Sequence, residues 1–173
     1  GVGQSEIAVH SMVDFFLLLN ISGAGDELQG IKRGIMEMAD AIVINKSDGD
    51  NINKAKLAET EFSRALHLFP PKKSGWQPSV TTCSAVLNTG IEEVWKTMEH
   101  YFELVKTNHY FESNRKNQSQ FWMMETINEQ LKANFFTHNV VKDTLVELKD
   151  QVVHNKMSPF SAANQLLDIY FKK

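Results

Sequence analysis

The sequence predicts an α/β fold built on a parallel sheet, and three observations carry that expectation. Three short runs, Met12–Leu19, Ala41–Asn45 and Ser79–Cys83, show continuous rather than alternating apolarity, as strands covered on both faces require. Helix-period stripes lie between them, giving the order strand, helix, strand, helix, strand. The chain of 173 residues is 42% hydrophobic and 23% charged with four prolines, enough to close one core with an appendage, and its composition excludes a wholly disordered or fibrous chain.

The elements follow in order. Phe15–Leu19, inside the first run, is the longest uninterrupted apolar stretch, far short of the ~18 residues of a membrane span. A glycine cluster, Gly23–Gly30, then leads into a helix with Ile31, Ile35 and Met38 on one face. After Ala41–Asn45 a second helix aligns Ala58, Phe62, Ala65, Leu66 and Phe69. Beyond Ser79–Cys83, Thr89 with Glu92 three residues on reads as a capping box, opening a helix striped by Ile91, Val94, Trp95, Met98, Phe102 and Val105. From about Asn108 no strand candidate remains. Stripes at Met124, Ile127, Leu131 and Phe135, then at Val141, Leu145, Leu148 and Val152, predict helices. Ser158-Pro159 is an N-cap and first-turn pair for a last helix carrying Ala163, Leu166, Leu167 and Tyr170. The expected organisation is therefore a sheet domain over 1–107 and a helical extension over 108–173. An extension of roughly 65 residues is too thin to bury its stripes alone, so it should dock on the sheet domain or on a second copy.

Charge and composition narrow the function classes. Acids exceed bases for a net charge of −3, which gives no general attraction to nucleic acid or to an anionic membrane. No basic-then-apolar segment opens the chain, so a soluble, non-secreted protein is expected. The single cysteine, Cys83, excludes an internal disulfide and a CxxC site and fits a reducing compartment. With no base beside it, Cys83 reads as a small buried hydrophobe rather than a nucleophile. The six histidines form no paired ligand spacing, so no metal site is expected in this chain. Trp76, Trp95 and Trp122 read as core or interface anchors, and Lys54, Lys56, Lys72 and Lys73 as solvated charges.

The sharpest chemical signal is Asn45-Lys46-Ser47-Asp48, directly after a buried strand, where parallel α/β sheets bind ligands. The Asp48 carboxylate can accept from the N1–H and exocyclic amine of guanine, Asn45 can hold the loop, and the Lys46 stem can cover the ring. Adenine lacks that donor pair, and an unpaired buried carboxylate is costly. The competing interpretation is ordinary turn and cap chemistry. A second element, Cys83-Ser84-Ala85 at the end of the next strand, favours the base site, since small residues let backbone N–H groups approach guanine O6. The glycine-rich Gly1-Val2-Gly3-Gln4-Ser5-Glu6 could face a phosphate, but no G-x-x-x-x-G-K-[ST] occurs in the chain. Asp26, Gln29 and Lys32 fall near one side of a helix start, either as a functional cluster or as a solvated, acid-capped turn.

GVGQSE, then GAGDELQGIKRGIMEMAD, then NKSDGDN, then Ser84-Ala85 with Gly90-Ile91 beyond, in this order and spacing, resemble the MeaB/ArgK-type GTPases that act as chaperones for the adenosylcobalamin enzyme methylmalonyl-CoA mutase. The likeness covers essentially the whole chain and extends through Arg115, Gln118, Trp122, Met123, His138 and Ser158-Pro159. It implies the carboxyl-terminal half of a P-loop GTPase of the SIMIBI group, a mostly parallel sheet with flanking helices plus a helical dimerisation arm. By that resemblance Asn45, Lys46 and Asp48 form the guanine-specificity loop, and Ser84, Ala85 and Val86 the second base-contacting loop. Gly1 closes the third GTPase motif and Gly1–Glu6 enters switch II, with Gln4 a weak candidate in hydrolysis. Gly25–Lys32 is an extra switch whose Asp26, Gln29 and Lys32 contact the mutase. GTP or GDP with Mg²⁺, whose ligands and P-loop are expected upstream, a homodimer, and a bacterial cytoplasmic or mitochondrial matrix location are likewise implied, with no nucleic acid or membrane partner. Val2 stands where Ras-like enzymes place a water-orienting Gln, which implies slow intrinsic hydrolysis. Asn88 replaces a family glycine, a substitution that left-handed backbone angles tolerate, and Asn20-Ile21-Ser22 departs from the usual shorter, proline-containing link. The alternatives are a non-catalytic dimerising and partner-docking fragment, or a SIMIBI relative once described as an amino-acid (LAO/AO) transport ATPase.

Overall fold

The computed structural model describes residues 5–21 and 33–171. Its elements are α1 (Ser5–His10), β1 (Leu17–Ile21), α2 (Arg33–Met38), β2 (Ala41–Asn45), a 3₁₀ turn (Gly49–Asn51), α3 (Ile52–Leu66), β3 (Ser79–Thr82), α4 (Ile91–Thr107), α5 (Tyr110–Thr137), α6 (Asn139–Val153) and α7 (Pro159–Phe171). The chain divides into two compact units, residues 1–118 and residues 119–173. The division falls inside α5, whereas the change in sequence character near Asn108 marks the junction between α4 and α5.

In the first unit the described strands form one parallel sheet in the order β1-β2-β3. Leu17 stands opposite Ala41 and Ala41 opposite Ser79, so Thr82 at the end of β3 faces Ile44, one residue before β2 ends at Asn45 opposite Ile21. Ala41, Ile42, Val43 and Ile44 are all buried, the outcome a continuous apolar run demands when both faces are covered. Ile42 and Ile44 pack with Phe16, Met36, Ala55, Ala58 and Phe62. Phe62 is fully buried because α3 places it one turn beyond Ala58, on the same face.

Several expectations need correction here. The first strand begins at Leu17 rather than Met12, because the residues before it bond outside the ladder. The Val13 carbonyl accepts from Gln118 Nε2 at 2.8 Å, Asp14 accepts from Arg115 Nε at 3.0 Å and Nη2 at 2.5 Å, and the Phe16 N–H donates to Asp40 Oδ2 at 2.8 Å. Residues of β1 and β3 are half-buried or exposed, so among the described strands only β2 is covered on both faces. Lys72 is not a solvated charge: its Nζ donates to the Met38 carbonyl at 2.8 Å and lies 3.4 Å from the buried Asp40 carboxylate. The Asp40 carbonyl in turn accepts from Trp76 Nε1 at 2.8 Å, and Trp76 stands edge-on to buried Tyr101, the anchor role expected of it. Trp95 is no core anchor, being 60% exposed with its indole N–H on Glu99. Thr89 and Glu92 form no capping box: α4 is entered through Gly90 at φ 74°, and Glu92 pairs with Lys96. The buried side chain of α2 is Met36, while Ile31 lies outside the described residues.

In the second unit Val141 and Leu148 of α6 are buried with Ala162 and Leu166 of α7. The Ser158 hydroxyl accepts the Ser161 N–H at 3.1 Å, the N-cap bond expected at the start of α7. The buried stripe of α7 runs through Ala162 and Leu166 rather than Ala163 and Leu167, which are exposed. On α5, the stripe of Met124, Ile127 and Leu131 is exposed.

Candidate functional site

Parallel strands send their following loops out from one edge, and the loops after β2 and β3 meet there. The Ser47 N–H donates to the Cys83 carbonyl at 2.9 Å, and the Cys83 N–H to the Ile44 carbonyl at 2.9 Å. These bonds carry the strand pairing one residue beyond the ladder and bring Asn45–Asp48 against Cys83–Ala85.

Four side chains, Asn45, Asp48, Cys83 and Ser84, knit the two loops. Asn45 Oδ1 accepts from the Lys46 N–H at 2.7 Å, the Ala85 N–H at 3.3 Å and the Cys83 thiol at 3.5 Å. Burial pushes the Cys83 thiol pKa up, so it stays protonated and serves as that donor. The hydroxyl of fully buried Ser84 donates to Asp48 Oδ2 and accepts the Leu87 N–H at 3.1 Å. Asp48 occupies the cap position of the 3₁₀ turn, yet its carboxylate makes no cap bond. Simple cap chemistry therefore does not account for the residue.

Backbone geometry completes the site. Lys46 takes a left-handed φ of 60°, costly for a residue with a Cβ. Ser84 and Thr89 exchange N–H to carbonyl bonds of 2.9 and 3.1 Å, closing the second loop, and Asn88 takes φ 53° as its residue type allows. Gly90 is required here, because a Cβ would lie 2.4 Å from the Thr82 carbonyl oxygen and 3.0 Å from Cys83 Cα. Val86 projects from the closed loop, 85% exposed.

Of the sequence-predicted residues, the structure thus brings together Asn45, Lys46, Asp48, Ser84, Ala85 and Val86 on two adjacent loops. Gly1, Gln4, Asp26, Gln29 and Lys32 lie outside the described residues. The sequence reading missed the donor role of Cys83, the packing of Gly90 and the bond from Asn51 Nδ2 to the Lys46 carbonyl at 2.8 Å. Only Gly90 carried a recognisable signal, a glycine immediately before a helical stripe. Among the described residues no group of three or more His, Cys, Asp or Glu side chains gathers as metal ligands, and no helix is long and apolar enough to cross a membrane. A cleft of about 390 Å³ lies apart from the two loops, lined by residues such as Met36, Phe69, Trp76 and Pro78.

Residues 1–140 match the family described as methylmalonyl-CoA mutase-associated GTPase MeaB. A mouse protein described as a mitochondrial methylmalonic aciduria type A homolog is 41% identical over 170 residues, covering 98% of this chain and 41% of its own length. GTPase ArgK of Escherichia coli is 39% identical over 170 residues, covering 96% and 50%. A probable GTPase of Mycobacterium tuberculosis is 38% identical over 169 residues, covering 98% and 50%. A crystal structure described as a LAO/AO transport system kinase superposes with a TM-score of 0.80 at 35% identity, covering 98% of this chain and 54% of that one. The chain spans about half the length of the curated relatives it matches. It belongs to the MeaB family of GTPases.

Proposed function

We propose that this member of the MeaB family carries the base-reading part of a guanine-nucleotide site, in a GTPase that serves an adenosylcobalamin-dependent mutase such as methylmalonyl-CoA mutase. The observation that carries the reading is the Asp48 carboxylate, which spends Oδ2 on buried Ser84 rather than on a helix cap. Oδ1 and the remaining lone pairs are then aimed by a fixed partner and can accept the N1–H and exocyclic amine of guanine. Asn45 ties the two loops, the Lys46 stem covers the ring, and Val86 flanks it. The Ala85 N–H, held by Asn45 at 3.3 Å, is on the long side for such a bond and can turn to guanine O6 at small cost. Adenine offers neither the donor pair nor that oxygen, so selectivity follows from unpaired polar groups.

GTP would be the substrate, its terminal phosphoryl passing to water, with Gly1 and Gln4 the candidates in switch II. Mg²⁺ would neutralise phosphate charge when bound, and no described residue is assigned to it. Asp26, Gln29 and Lys32 would couple nucleotide state to the mutase, with loading and protection of its cobalamin as the outcome. The names of the MeaB family and of the mouse relative support that partner. A reducing compartment, bacterial cytoplasm or mitochondrial matrix, agrees with the lone thiol.

The exposed stripe of Met124, Ile127 and Leu131 favours a second, compatible reading, in which the helical unit dimerises or docks a partner without chemistry of its own. Asp48→Asn tests the base site. Losing a hydrogen bond to a charged group should weaken GDP binding by roughly tenfold to a hundredfold and improve binding of xanthosine diphosphate. Unchanged selectivity in that variant removes Asp48 from the base site.

A further inference from the structure

Asn51 lies outside the N-K-x-D sequence, at the end of the 3₁₀ turn Gly49–Asn51 where it runs into α3, with helical backbone angles of φ −89° and ψ −9°. An Asn that caps a helix has non-helical angles and accepts a backbone N–H from the first turn. Here it makes no cap bond. Its side-chain amide turns back instead, and Nδ2 donates to the Lys46 carbonyl at 2.8 Å. Lys46 is the residue of the first loop held at a left-handed φ of 60°. Its N–H is bound by Asn45 Oδ1 at 2.7 Å, so both polar groups of this strained residue are held by side-chain amides, one on each flank. The Asn51 N–H also donates to the Asp48 carbonyl at 3.0 Å, fastening the same residue to the backbone that carries the carboxylate.

We infer that Asn51 is a positioning residue for guanine selectivity: by holding the Lys46 carbonyl it keeps the first loop in the conformation that aims Lys46 and Asp48 at the base. A strained backbone conformation persists only where its surroundings over-determine it, and at this site Asn51 supplies one of the two side-chain bonds that hold the Lys46 backbone. The inference rests on the guanine-site reading above. It adds a specificity role for a residue that the N-K-x-D pattern does not contain.

Asn51→Asp is the deciding variant. Aspartate is near-isosteric and caps helices as well as asparagine, so a residue serving only α3 would tolerate it. As an acceptor it cannot donate to the Lys46 carbonyl, and it sets a carboxylate against that oxygen. Affinities for GDP and ADP are measured by fluorescent-nucleotide titration on the whole protein carrying this chain, beside Asn51→Ala and a thermal melt of each variant. The expected result is a fall of about tenfold in the GDP-to-ADP affinity ratio for Asn51→Asp, with ADP binding and melting temperature held. Asn51→Ala, which removes the bond to the Lys46 carbonyl and no cap bond, should lower the ratio by about fivefold. A wild-type ratio in Asn51→Asp overturns the role of Asn51 while leaving the guanine site standing. A wild-type protein that does not prefer GDP overturns both.

Discussion

The two units of this chain bury apolar side chains to different extents. In the sheet unit the largest of the fully buried side chains are Phe62, Ile42 and Ile44. In the helical unit α6 and α7 bury Val141, Leu148, Ala162 and Leu166 between them, but the 28-residue α5, which runs through both units, has no buried residue at all. Its Met124, Ile127 and Leu131 recur at helical spacing and are exposed. The sheet unit encloses β2 on both faces while Leu19 and Trp95 stay exposed, and α5 offers a face that burial in an interface would stabilise at ~25 cal/mol per Å². Polar chemistry divides along the same line, because the bonds that shape the base loops all lie in the sheet unit.

Substitutions sharpen this contrast, beginning with the largest effect. Phe62→Ala removes a fully buried ring from the sheet core and should cost about 3–5 kcal/mol in denaturant unfolding. A loss below about 1 kcal/mol would mean that the core does not close around that ring. Gly90→Ala forces a left-handed φ on a residue with a Cβ and drives that Cβ into the Thr82 carbonyl oxygen. A loss of about 2 kcal/mol or more is expected, together with weaker GDP binding, because the Ser84–Thr89 loop must shift. Stable folding with unchanged GDP affinity would show that the loop tolerates the displacement. Trp76→Phe keeps the ring against Tyr101 but leaves the Asp40 carbonyl without its indole donor, for about 1–2 kcal/mol in the same assay. No measurable change would mean that water replaces the indole.

The smallest effect on folding is expected on α5, where the effect on assembly should be largest. Ile127→Gln with Leu131→Gln changes two exposed positions and should leave the unfolding free energy within the ~0.5 kcal/mol typical of surface changes. If the stripe is the dimer seam proposed above, sedimentation should show monomers for the double variant and dimers for the unaltered protein. A dimer that persists in the double variant would move the interface off this stripe.

How much of this was legible in the sequence differs by element. β2 was readable because a strand covered on both faces shows as a short apolar run ended by turn residues, and half-buried β3 as a short β-branched run. β1 was misjudged by five residues at its start, since apolar Met12, Val13, Phe15 and Phe16 continue the pattern while Asp14, the Val13 carbonyl and the Phe16 N–H are bonded to Arg115, Gln118 and Asp40. Those partners are distant in sequence, and no local pattern announces them. The same reason hid Lys72, whose charge is met by Asp40. Within the site, Asn45, Asp48 and Ser84 were legible as residue types at strand ends. Asn51 and Cys83 were not, because no local pattern announces an amide at the end of a 3₁₀ turn that reaches back to the Lys46 carbonyl, or a buried thiol that donates to an amide oxygen.

Guanine recognition by the loops after β2 and β3 is tested most directly by titrating fluorescent GDP and ADP, in Mg²⁺, against the whole protein carrying this chain. Recognition by Asp48 and its neighbours predicts binding of GDP well over ADP. Equal affinity for the two nucleotides, or preference for ADP, would contradict it and leave the clustered side chains a purely structural role.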